Sequence, residues 1–126
     1  DQEILTEYVR QGLVRQISHQ YAMNNTLTCI TVDPQLENKI TAAVQRTEHG
    51  SYVAFEPILM QKLIANLNTE LAKLTNLGYQ PIVLTSPAVR LYFRKLTERI
   101  VSSLVVLSYA EVEAKIEVQA VGMVSI

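Results

Sequence analysis

The residues able to do chemistry are few and scattered. A hydroxyl nucleophile needs a base within hydrogen-bond reach, and the nearest imitation is His49-Gly50-Ser51, where neighbouring side chains seldom point at one another. His19 is the other histidine. Neither has a His, Cys or carboxylate companion one helical turn away, as a metal site wants, so an exposed or partly packed ring is the plain reading of both. Glu111 and Glu113 stand two apart and would face opposite ways in an extended segment. The four glycines are too scattered to form a phosphate-cradling loop, and the nucleophile-elbow spacing is absent. No catalytic residue, metal or cofactor is expected.

Thr85-Ser86-Pro87 has more promise, because it ends a strand and opens a helix with Arg90 one turn inside. Free amides and a cation could meet an anion there. A small anion- or nucleotide-binding domain or enzyme using Ser86 and Arg90 is therefore the alternative of a different class, although helix capping alone accounts for a serine at that place. The same helix carries Arg90, Arg94, Lys95 and Arg99, with Glu98 four residues after Arg94 as a partner. A solvated face is the plain reading; a protein-contact surface is the functional one.

These side chains are positioned by an alternation of elements. Leu5, Tyr8, Val9, Leu13 and Ile17 recur at helical steps and predict one long helix from Ile4 to about Tyr21, ending at the polar turn Asn24-Asn25. Leu27–Val32 reads as a strand, and Asp33-Pro34 as a helix entry for a stripe of Leu36, Ile40, Ala43 and Val44. A short strand at Tyr52–Phe55 precedes the clearest stripe, Met60 to Leu74, stopped by Gly78. Pro81–Thr85 reads as a buried strand, Ser86-Pro87 as a cap for a helix with Val89, Phe93, Leu96 and Ile100 inside, and Leu104–Leu107 as another strand. Lys115–Val124 alternates like a half-exposed edge strand, here expected to be antiparallel. The fold class is α/β: a mostly parallel, mixed sheet flanked by helices. Residues 1–22 would belong to a neighbouring helical subdomain and residues 23–126 to the α/β unit.

Composition sets the outer limits. The chain has 126 residues, enough for one ordinary domain, and its formal charge of -1 gathers neither nucleic acid nor anionic lipid to the whole molecule. Any charged partner must be met locally. Cys29, the single cysteine, excludes an internal disulfide and sits in a strand-like run that fits a reducing setting. No apolar run approaches the roughly 18 residues of a spanning helix. Helical periodicity starting almost at Asp1 suggests a piece of a longer protein.

Three stretches in this order resemble the carboxy-terminal end of the flagellar and type III secretion export-gate family, the FlhA-like or FHIPEP proteins. They are Leu5–Gln11 with Leu13–Ile17, Thr31–Glu37, and Pro81–Arg90 followed by Leu96–Arg99 and Leu104–Val112. The resemblance implies a parent anchored by an amino-terminal membrane region, with a large cytoplasmic portion forming a homo-oligomeric ring at the bacterial inner membrane. The module would then be no enzyme but a docking platform for export chaperones, their cargo and other export-apparatus proteins. The ending Ile116–Ile126 looks more flagellar, while Leu5–Arg10 and His49–Tyr52 also resemble injectisome members. The basic side of the Pro87–Ile100 helix, with Arg90, Arg94, Lys95 and Arg99, is the expected contact surface.

Overall fold

The computed structural model describes all 126 residues. Four strands, β1 (Thr26–Val32), β4 (Ile82–Thr85), β5 (Val105–Ser108) and β6 (Glu117–Val124), form one sheet in the order β5-β4-β1-β6. All three pairings are parallel. A separate antiparallel hairpin joins β2 (Val44–Thr47) to β3 (Gly50–Val53).

Alternation along the strands divides the core in two. Ile30, Val32, Val83, Val106 and Val124 face the helices α3 (Pro34–Ala42), α4 (Pro57–Thr75) and α5 (Arg90–Thr97), where they meet Leu36, Ile40, Leu63, Leu67, Leu74 and Phe93. Leu27, Cys29, Ile82, Leu84 and Leu107 face the other way. They are covered by Ile17 and Tyr21 of α2 (Val14–Tyr21) and by Val112 and Ile116 from the connection that carries the chain from β5 to β6.

Several expectations are corrected. The opening helix is two: α1 (Gln2–Gly12) and α2 meet at Leu13, whose φ of -103° and ψ of 23° break the ladder just after Gly12, a poor helix former. Val44 leaves the α3 stripe and opens β2, because the helix stops at Ala42. Ser86 does not cap a helix through its hydroxyl; α5 begins at Arg90 after a turn and ends at Thr97, which leaves Ile100 outside and exposed. Finally, β6 runs parallel to β1, not antiparallel, since the β5–β6 connection is long enough to cross the sheet and re-enter from the same end.

The free edge of β6 is handled by α4. A register shift lies between Cys29 and Ile30, opposite the stretch that contains Gly122, and there the Glu70 carboxylate accepts the Met123 N–H at 3.0 Å. A Cβ on Gly122 would lie 2.2 Å from Glu70 Oε1 and 3.2 Å from Ile30 Cγ2. Replacing Gly122→Ala should therefore push Glu70 off the strand and cost about 1 kcal/mol. Urea denaturation would show this, and the cost should shrink in a Glu70→Ala background.

Candidate functional site: a charged helix face against the sheet edge

Glu3, Glu7 and Arg10 recur at steps of four and three, so they share one side of α1, while Ile4, Leu5, Tyr8 and Val9 share the other. The apolar stripe is the natural candidate for the inner face. The structure does the reverse. Ile4, Leu5, Tyr8 and Val9 are between 52% and 68% exposed, and the charged side is turned onto the α/β unit.

What it meets there follows from the sheet edge. Val105 donates to the Pro81 carbonyl in the β4 ladder, so the parallel register turns the groups of Val106 and Ser108 outward. Both residues are buried, and buried backbone groups need partners. Arg90 Nη1 donates to the Val106 carbonyl at 3.0 Å, and Glu111 Oε1 accepts the Ser108 N–H at 2.9 Å. Two buried charges result, and α1 neutralises both. Arg90 Nε and Nη2 donate to the two Glu7 oxygens at 2.9 and 3.1 Å, while Arg10 Nε donates to Glu111 Oε2. A third pair joins Lys95 to Glu3, which also accepts the Ser51 hydroxyl at 2.7 Å.

Helix α2 extends the seam. The Ser18 hydroxyl donates to the Glu111 carbonyl at 2.9 Å and accepts the Glu113 N–H at 2.8 Å. No buried side-chain nitrogen or oxygen is left without a partner.

The expected contact residues therefore separate. Arg90 is 6% exposed and Lys95 is half-buried, both held by α1. Arg94 and Arg99 are exposed, Arg94 lying 3.8 Å from Glu98. Ser86 and Arg90 form no anion site, because the protein's own carboxylates occupy both: Glu37 accepts the Ser86 N–H at 2.8 Å and Glu7 takes Arg90. The Ser51 hydroxyl of the His49-Gly50-Ser51 turn is committed to Glu3. His19 lies 3.6 Å from Glu113, and no three His, Cys, Asp or Glu residues are grouped to hold a metal. Burial pushes the Cys29 thiol up to about 11.

Sequence reasoning missed Glu3, Glu7, Arg10 and Glu111. One signal was present: Ser108-Tyr109-Ala110-Glu111 is a capping box, and its Glu111 closes a short 3-10 turn. Which side of α1 turns inward has no local signature.

Likeness to known proteins decides the family. The pattern of the FHIPEP family matches residues 1–117. The chain belongs to the FHIPEP family. The flagellar biosynthesis protein FlhA of Bacillus subtilis is 41% identical over 100% of this chain, and the low calcium response locus protein D of Yersinia pestis is 36% identical over 95% of it. The chain spans only 19% and 17% of those two proteins. Among solved structures, the complex of Chlamydia pneumoniae CdsV and CdsO contains a chain of TM-score 0.88 and 31% identity, with 99% of this chain and 37% of that one covered. Nonameric EPEC SctV-C gives 0.87 and 30%, with 98% and 37% covered. This FHIPEP chain has no helix long and apolar enough to cross a membrane.

Two outcomes follow for the seam. Glu7→Arg or Arg90→Glu alone should destabilise by about 3 kcal/mol, the cost of a buried charge left unpaired, and the double swap should recover part of it; equilibrium unfolding of the three variants measures the coupling. The hydrogen bond from Lys95 holds the Glu3 carboxyl below its ordinary value of 4.5. Its contribution is complete above that value and fades as pH falls through the lowered one, so Lys95→Met should flatten the acid limb of stability against pH.

Proposed function

We propose that this chain is a non-enzymatic docking module of a type III protein export gate, receiving export chaperones, their cargo and other export-apparatus proteins. The observation that carries the reading is the use of the ionisable groups. Arg90 and Glu111, the two buried charged side chains, are spent on backbone edges and on α1 rather than left free as an acid or a base. Family membership supplies the export setting.

The same reading assigns residues 1–22 to the end of a neighbouring helical subdomain and 23–126 to the terminal α/β subdomain. The outward apolar side of α1 supports that division, since an unpaired stripe of this size calls for further polypeptide against it. In the full-length parent the module would sit on the cytoplasmic side of the bacterial inner membrane, within a homo-oligomeric ring. Likeness to nonameric SctV-C and to CdsV bound to CdsO supports both ring and partner. Higher identity to the flagellar relative than to the Yersinia one, 41% against 36%, favours the flagellar branch over an injectisome role. Of the basic residues on α5 and the turn after it, Arg94 and Arg99 remain available for contact.

The test is made in the full-length gate. Deleting residues 23–126 should stop cargo secretion while the protein still accumulates in the membrane, measured by immunoblot of culture supernatant and membrane fraction. Undiminished secretion would sink the docking reading.

A further inference from the structure

The edge of β5 holds a groove that the seam does not fill. It has a volume of about 240 Å³ and is lined by Arg10, Arg90 and Arg94, with Tyr21, Leu104 and Val106. No acidic side chain lines it. Arg90 is committed to Glu7 and the Val106 carbonyl, but Arg10 gives only its Nε to Glu111, and Arg94 stands 3.8 Å from Glu98, beyond hydrogen-bond range. Terminal guanidinium nitrogens of two arginines therefore stay uncommitted beside the same groove. The parallel register also turns the Val106 N–H outward at this edge, on a residue only 3% exposed.

We propose that this groove is the docking site for an acidic, extended segment of a protein partner. A carboxylate would lie across Arg10 and Arg94, matching the paired donors of guanidinium. The partner's backbone carbonyl would accept the Val106 N–H, and its apolar side chains would rest on Tyr21 and Leu104. Size argues against a nucleotide, because small-molecule sites usually need about 300 Å³ or more. The inference rests on the docking reading for its biological occupant and names the chemistry that such an occupant presents.

The probe is a blocked peptide alternating valine with aspartate, titrated into the full chain, with calorimetry for affinity and the Val106 amide resonance for place. The aspartate peptide should bind and shift Val106, and its asparagine counterpart should not. Arg94→Glu should weaken binding by about tenfold or more, the scale of one charge-assisted contact, while Arg99→Glu, outside the groove, should leave it unchanged. Absence of binding, equal binding of the asparagine peptide, or an unaffected Arg94→Glu variant would overturn the proposal. Inorganic phosphate binding as tightly as the peptide would overturn the peptide assignment too, showing a plain anion site. The two readings fail separately: lost secretion on deletion with no peptide binding removes only this groove, whereas normal secretion with peptide binding removes only the export role.

Discussion

A parallel sheet that ends in a buried strand has outward-facing amides and carbonyls without a neighbouring strand to pair them. In this chain the edge at β5 is closed by two side chains of opposite charge, Arg90 on the Val106 carbonyl and Glu111 on the Ser108 N–H. Burying a cation and an anion at that edge is unfavourable unless each is paired. Glu7 and Arg10, three residues apart on α1, provide the pairing in the matching order. The orientation of the opening helix, the exposure of its apolar side and the character of the β5 groove all follow from this arrangement.

The opposite edge is treated differently because its strand is not buried. Residues Glu117–Ala120 of β6 are exposed, so water can serve their outer groups, and only the end of the chain is held by α4. Glu70 takes the Met123 N–H there and the Asn66 amide donates to the Ser125 carbonyl. At β6 one carboxylate, paired with Lys73 at 2.9 Å on its own helix, and one amide suffice. Charge is concentrated where solvent is excluded, on the side facing α1.

The legibility of the sequence follows the same line. Elements whose signals are local were readable: Asp33-Pro34 opens a helix at the proline, and the β1 and β4 runs fall within one residue of their observed bounds. The phrases from Pro81 to Arg90 and Leu104 to Val112 carried the family. Elements set by distant contacts were not readable. Val44 fits a helical stripe locally, yet it pairs with Val53 across the hairpin. Ser86 looks like a cap, yet its own N–H is held by Glu37 from α3. The basic helix looks solvated throughout, yet two of its cations are drawn inward by carboxylates more than 80 residues away in sequence.

These contacts also bear on where the molecule can bend. The Asn24-Asn25 joint is a tight turn with both residues at positive φ, 52° and 60°, closed by reciprocal hydrogen bonds between Met23 and Thr26. Asparagine tolerates that left-handed backbone, whereas proline at either place would not. Swinging α1 and α2 away about this turn would require breaking the pairs of Arg90 with Glu7 and of Glu111 with Arg10 together with the Ser18 bonds to the Glu111–Glu113 segment. A partner's binding energy would have to replace all of these at once. These bonds hold the opening helices and the α/β unit together as one body.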